Sequence, residues 1–520
     1  MSAGLDITPP KASRDLENRS ETLRNRKKNV TFLHPDLGIG GAERLILDAA
    51  LALQSRGHNV TIYTSHRDTR HCFEEARDGT LDVRVRGNQL VPAHLGGRFV
   101  VLLATLRQIV LVGWVIAEGY KRWKSKARGE RKEEKEEEGE EEEVFIVDQV
   151  PACVPILRLL GSTAGAVPWL RFLRRSRILF YCHFPDQLLA RRDEGAWVRR
   201  LLKRCYRVPF DAFEGWAISK ADKVVANSRF TRAVVGEVFG KRRLGDVKII
   251  YPCVDTEAKA GEPKEECGQV ADGAALWGGK KILLSINRFE RKKNVELAIR
   301  AYHGLDEKER KETRLVIAGG YDNRVQENAQ YHKELDSLAS SLGLQTATSK
   351  TVISALSVPE SIDVLFLLSV PSAFKQSLLS SSSLLLYTPS HEHFGIVPVE
   401  AMHSGLPVLA ANTGGPLETI IEGKTGWLRD VNAVDAWTSV IRKVLFELDD
   451  SALAAIGKNG QERVEKEFSR HAMGDRFEEE IDRMFLAPRR QVREWQILVA
   501  LGVAGLLIGL LASLFMGKIL

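Results

Sequence analysis

The sequence predicts an α/β protein built from two doubly wound, parallel-sheet domains with a cleft between them. Three observations predict it. Short apolar runs of strand length alternate with segments of helical periodicity, the pattern of repeated βαβ units. That alternation is interrupted by a Gly-, Glu- and Lys-rich stretch over residues 256–279, which reads as a linker. A chain of 520 residues is also long enough for two domains of ordinary size.

Residues 1–28 are polar and charged, lack an apolar core segment and read as a disordered tail rather than a signal peptide. The first domain is expected over 29–255. It opens with a strand at Val30–Leu33, then the glycine loop Gly38-Ile39-Gly40-Gly41, a helix to about Ser55 capped by Gly57, and a strand from Asn59 to Tyr63. Further buried strands are expected at Val144–Val147, Ile178–Cys182, Lys223–Ala226 and Val247–Ile250. Between them, residues 130–143 hold ten Glu, three basic residues and one Gly, a solvated acidic insertion.

The second domain is expected over 280–487, with strands at Ile282–Ile286, Leu315–Ala318, Val364–Leu368, Leu384–Tyr387 and Val408–Ala410. Residues 343–363 fit no period and read as a surface insertion. Ligands of such sheets bind beyond the carboxyl ends of the strands, and the candidate site residues fall at those ends.

Two segments are apolar enough to meet lipid. Trp495–Phe515 is 21 residues without a charge, spanning about 31 Å as a helix, enough for a bilayer core. Arg489, Arg490 and Arg493 precede it and Lys518 alone follows, which places the large domains on the cytosolic side. Phe99–Ile116 is interrupted by Arg107 and Gln108. A single span there would put strands of one sheet on opposite sides of the membrane, so it reads as an interfacial or core helix. The basic run Lys121–Arg128 beside it suits anionic headgroups.

Net charge is +7 from 75 basic and 68 acidic residues, and few aromatics accompany the basic runs, so nucleic-acid binding is not expected. The six cysteines are scattered with no C-x-x-C pair, which fits reduced thiols rather than zinc or redox motifs. There is no Asp-x-Asp spacing, no Walker loop and no dinucleotide fingerprint. No metal and no cofactor are expected.

The chemistry concentrates in Ser390-His391-Glu392-His393-Phe394-Gly395-Ile396-Val397-Pro398-Val399-Glu400. It reads as a loop after the Leu384–Tyr387 strand, then a helix whose first turn holds Pro398, where a missing N–H costs nothing. Free amides of that turn can bind an anion. Glu392 then lies in the loop and Glu400 in the helix, two carboxylates suited to the hydroxyl-rich ends of a nucleotide sugar.

The two glutamates before Gly405-Leu406-Pro407-Val408 resemble those of the retaining GT-B glycosyltransferases of family 4. The longer string from Leu386 to Pro398, with Asn412-Thr413-Gly414-Gly415-Pro416-Leu417-Glu418-Thr419, is similar to that of the eukaryotic α-1,3/1,6-mannosyltransferases that extend dolichol-diphosphate-linked oligosaccharide. The resemblance covers roughly residues 29–485. It implies a GT-B fold and transfer with retention from GDP-mannose to Man1GlcNAc2- and then Man2GlcNAc2-diphosphodolichol. The leaving phosphate would take the acceptor's proton.

It also implies a place on the endoplasmic reticulum membrane with the catalytic domains cytosolic, and contact with membrane lipids and other transferases of the pathway. Arg288 and Lys293 match the pair that grips the donor diphosphate, though Asn294 stands where many relatives carry Gly, so Lys292 competes with Lys293. His183, in His183-Phe184-Pro185-Asp186, resembles the histidine beside the transferred sugar. Gly38, Gly40 and Gly41 contact the donor diphosphate or acceptor, and Gly395, Gly414 and Gly415 line the same site. The competing readings are a transferase of the GPI or glycolipid pathways and a noncatalytic tail-anchored scaffold.

Overall fold

The computed structural model describes residues 26–87, 90–93, 100–128, 142–189, 197–256 and 276–489, with isolated positions beyond. Most of Trp495–Phe515 and most of the acidic insertion lie outside the described residues. The chain divides into two compact units. The first holds residues up to Asn227, Thr231–Ile250 and everything from Gly474; the second holds Ser228–Phe230 and Tyr251–Met473.

The first unit is a seven-stranded sheet of β1 (Asn29–Leu37), β2 (Asn59–Arg67), β3 (Asp82–Val85), β4 (Glu143–Asp148), β5 (Arg177–Cys182), β6 (Lys223–Ala226) and β7 (Lys248–Ile249). Its order is β3-β2-β1-β4-β5-β6-β7, and the described pairings are parallel. The strand order reverses between β1 and β4, where Leu33 stands opposite Val147. Helices cover both faces, so the central strands read as unbroken apolar runs: Phe32, Leu33, Phe145 and Val147 are fully buried.

The second unit repeats the architecture with β8 (Lys281–Ile286), β9 (Thr313–Gly319), β10 (Thr346–Ser349), β11 (Val364–Leu368), β12 (Leu384–Tyr387), β13 (Val408–Ala411) and β14 (Gly426–Arg429). Its parallel sheet runs β10-β11-β9-β8-β12-β13-β14, reversing between β8 and β12. One cluster built on Leu283, Leu315, Phe366 and Trp437 fills one face, and another on Leu284, Leu365, Leu385 and Val399 fills the other.

Five expectations are corrected. Lys28 is no part of a loose tail: its ammonium is 2% exposed and sits 3.0 Å from Asp482. The acidic run ends before the sheet begins, because the Asn29 amide donates to the Glu142 carbonyl and Glu143 is the first residue of β4. Residues 343–363 are not an unstructured insertion but supply edge strand β10 and the helix Val352–Leu356. The end of the expected linker is packed, with Trp277 buried and its indole N–H 2.7 Å from the Ala355 carbonyl. Residues from Gly474 group with the first unit rather than the second. There Lys28, Arg56 and Lys223 meet Asp482, Asp475 and Glu480.

The ambiguous apolar segment is a helix, Val100–Ala127. Leu103, Arg107, Gln108, Leu111, Val112 and Val115 form one buried stripe at helical spacing. Arg107 reaches Asp36 at 2.7 Å. Val100, Tyr120 and Trp123 are exposed. Among the described residues this is the helix long and apolar enough to cross a membrane, and its buried stripe belongs to the core of the first unit.

Candidate active site

In the second unit, charged residues collect at the reversal between β8 and β12, where open α/β sheets bind ligands. The loop Asn287–Asn294 follows β8 and the loop Thr388–Gly395 follows β12. They are tied together, Thr388 Oγ1 donating to the Lys293 carbonyl at 2.8 Å. The Lys293 ammonium donates to Glu392, whose carboxylate also takes a hydrogen bond from the Tyr387 hydroxyl. Burial pushes the Glu392 carboxyl up, but the charge and hydrogen bond of Lys293 outweigh it and hold the group below its ordinary range. The Tyr387 phenol is pushed well above its usual value by burial and by the Glu392 charge.

Of the two competing lysines, Lys293 reaches Glu392, while Lys292 pairs with Glu290 at 2.9 Å on the surface. Asn294 takes φ 49°, a left-handed conformation that Gly and Asn adopt most readily, which accounts for Asn where Gly was expected. Arg288 is not gathered into this cluster: its guanidinium is 63% exposed and lies 3.1 Å from Glu290.

Gly395 precedes the helix Ile396–His403 with φ 83°, and a Cβ there would stand 3.2 Å from the Tyr387 ring. Glu400 lies on that helix. Its Oε1 accepts from Lys375 Nζ at 2.7 Å, while Oε2 is buried without a hydrogen-bond partner. Gly414 and Gly415 act differently from an amide-lined turn. The Gly415 amide donates to the Glu392 carbonyl at 2.9 Å, and a Cβ on either glycine would strike the backbone of Glu392 or Phe394. They brace the loop that carries Glu392.

In the first unit the corresponding reversal lies between β1 and β4. His183, just past β5, is joined there by two residues that the sequence reading did not single out. Its Nε2 is 2.9 Å from Asp148 Oδ2, and His34 Nδ1 is 2.9 Å from the same carboxylate. Asp148, the last residue of β4, and His34, in the second half of β1, are fully buried. Burial lifts the Asp148 carboxyl, but the His34 charge and the hydrogen bonds from both rings hold it low. The Asn227 side chain donates to the His183 carbonyl at 3.1 Å. Gly38 and Gly41 have open space where a Cβ would stand, and Gly40 is extended at φ −161°. The packing of this unit therefore does not itself require glycine at 38 and 41.

Two parallel-sheet units, each with its polar cluster at the sheet reversal, define a two-domain GT-B glycosyltransferase. Solved structures share the fold. Sucrose-phosphate synthase of Thermosynechococcus elongatus matches 89% of this chain and 100% of its own at TM-score 0.58 and 18% identity. Anabaena HepE, solved with UDP-glucose, matches 88% and 99% at TM-score 0.56 and 17% identity. Family models for "Glycosyltransferase Family 4" and "Glycosyl transferases group 1" match residues 159–258 and 273–463.

The α-1,3/1,6-mannosyltransferase alg-2 of Neurospora crassa is 48% identical over 88% of this chain and 91% of its own length. The Saccharomyces cerevisiae α-1,3/1,6-mannosyltransferase ALG2 is 40% identical over 91% and 88%. The chain belongs to the α-1,3/1,6-mannosyltransferase family and is a glycosyltransferase.

Proposed function

We propose that this enzyme moves mannose from GDP-mannose, with retention, onto Man1GlcNAc2-diphosphodolichol and then Man2GlcNAc2-diphosphodolichol, through α-1,3 and α-1,6 linkages. The activity of its relatives, named α-1,3/1,6-mannosyltransferases, supports the sugar and the linkages. The observation that carries the donor site is the Lys293–Glu392 pair, with Lys375–Glu400 on the following helix. In this reading Lys293 and the exposed Arg288 meet the diphosphate and stabilise the charge that builds as the glycosidic bond breaks. Glu400 Oε2 accepts from a ribose hydroxyl and Glu392 from a hydroxyl of the sugar. His183 lies beside the transferred mannose, the glycine loop Gly38–Gly41 approaches the diphosphate or acceptor, and the leaving phosphate takes the acceptor's proton.

The site of action is the cytosolic face of the endoplasmic reticulum membrane. Trp495–Phe515 is the anchor in this reading, the exposed side of the helix Val100–Ala127 touches lipid, and other transferases of the pathway are partners. Purified protein incubated with GDP-mannose or UDP-sugars and short chitobiosyl-lipid acceptors, followed by linkage analysis, tests the reading. Mannose transfer in both linkages is expected; transfer from a UDP-sugar alone would overturn it.

A further inference from the structure

The trio His34–Asp148–His183 carries more than a binding role for His183. The His34 Nε2 stands 2.9 Å from the Asp36 carbonyl, and a carbonyl oxygen only accepts. That nitrogen must carry a proton. The other ring nitrogen, Nδ1, lies 2.9 Å from both oxygens of Asp148. An ionised carboxylate also only accepts, so Nδ1 must carry a proton as well. A histidine with two donating nitrogens is an imidazolium, and His34 holds that charge with no exposure to solvent. A buried charge persists when it is paired and hydrogen-bonded, and here the pair with Asp148 is net neutral.

His183 completes the trio through the same logic. Its Nε2, 2.9 Å from Asp148 Oδ2, must donate. In a neutral imidazole the other nitrogen is then an acceptor. We propose that Asp148 is a positioning residue for sugar transfer: clamped by an imidazolium at His34, it fixes His183 as the neutral Nε2–H tautomer, leaving Nδ1 as the acceptor for a substrate hydroxyl. The three residues stand on or beside neighbouring strands: His34 in the second half of β1, Asp148 as the last residue of β4 and His183 just past β5. The charged and titratable groups around His34 are Asp148 on β4, His183 after β5 and Glu43 on the helix Gly41–Ser55. Asp148 and Glu43 are acidic and favour the cation; burial opposes it and is overcome, so His34 titrates above an ordinary histidine.

The role matters because the transition state of glycosyl transfer is electron-poor at the sugar. A neutral acceptor nitrogen beside that sugar orients a hydroxyl without adding positive charge, whereas an imidazolium at His183 would oppose the reaction. The Asp148 carboxylate that pairs with the buried charge of His34 also orients the His183 ring.

The proposal rests on the placement of His183 beside the transferred sugar, so its test reads protonation separately from activity. The full-length protein in detergent, labelled with ¹⁵N in its histidine rings, gives two-bond ¹⁵N–¹H correlations; His34→Gln and His183→Gln spectra assign the signals. Two protonated nitrogens on His34 between pH 6 and 8, and a proton on Nε2 in the neutral form of His183, are expected. A single proton on His34, or a proton on Nδ1 of neutral His183, would overturn the assignment.

In Asp148→Asn the His34 pattern should become neutral. Turnover with GDP-mannose should fall by roughly 10²-fold while the donor KM changes little. Loss expressed in KM alone would reject the positioning role. Wild-type turnover in His183→Gln, alongside the expected ring spectra, would show instead that the placement of His183 at the sugar is the step in error.

Discussion

Glu392 and Lys293 supply for each other the solvation that the loop between β12 and the helix Ile396–His403 withholds. Removing the cation leaves a half-buried carboxylate with the Tyr387 hydroxyl and the His393 ring but without its main counter-charge. Lys293→Ala is expected to lower mannosyl transfer by about 10²-fold or more, since one preorganised charge at a leaving group is worth that much. Lys293→Arg should retain more, and steady-state kinetics distinguish the two. The carboxyl titrates below its unfolded value, so its stabilisation is present above roughly pH 4 and is lost as the pH falls through the folded value. In Lys293→Ala burial of the carboxyl is no longer outweighed, so that acid-side loss should shrink or reverse, seen as a flatter acid limb of thermal unfolding.

Glu400→Ala tests the second carboxylate, and weaker donor binding with a folded protein, measured by calorimetry with GDP, is the expected result. Lys293, Glu392 and Glu400 were legible because they lie in short strings at strand ends. His34, Asp148 and Lys375 were not, because each shows its role only through a partner. His34 and Asp148 are 114 positions apart, and a lone lysine on the helix Ser372–Ser381 carries no local signal.

At the scale of elements, burial explains where the sequence was readable. The central strands announce themselves as apolar runs. Edge strand β10 is Thr-Ala-Thr-Ser, half solvated, and so passes for a loop. The acidic run and β4 share glutamates, and composition alone hides their junction. Thr31 Oγ1 donates to Glu143 at 3.0 Å inside the sheet. Deleting residues 130–141 should therefore leave activity and the circular dichroism melt nearly unchanged. Deleting 130–143 should destabilise the first unit, because it removes the first residue of β4 and the carbonyl that receives the Asn29 amide.

The helix Val100–Ala127 offers a gain instead. Both polar atoms of the Gln108 side chain are buried without hydrogen-bond partners. Gln108→Met should raise the melting temperature, with a stabilisation of about 1 kcal/mol. A fall of similar size would mean that the amide is satisfied by bound water.

Across the whole molecule, the first unit carries an acid-sensitive point. His58 Nδ1 accepts from the Lys28 amide at 3.3 Å, which needs the neutral ring, and burial followed by the Lys28 charge lowers the ring to about 4. Its folded value lies below the unfolded one, so the unfolded chain binds the proton more tightly. Stability from neutral His58 is complete above about pH 6.5 and drains as the pH falls toward 4, by on the order of 3 kcal/mol. His58→Gln should flatten that slope between pH 7 and 5 in thermal melts, while the wild type keeps it.

The division of the chain sets the order in which it can be completed during synthesis. The second unit ends at Met473, whereas the first stops at Ile250 and resumes only at Gly474. Until that last segment leaves the ribosome, Lys28 and Lys223 lack Asp482 and Glu480. At ordinary translation speeds the intervening stretch takes roughly 10–45 s to make. The half that starts first thus finishes last, and a nascent chain stalled between Ile250 and Gly474 would hold a sheet whose buried cations await their partners, an exposed target for chaperones and for quality control.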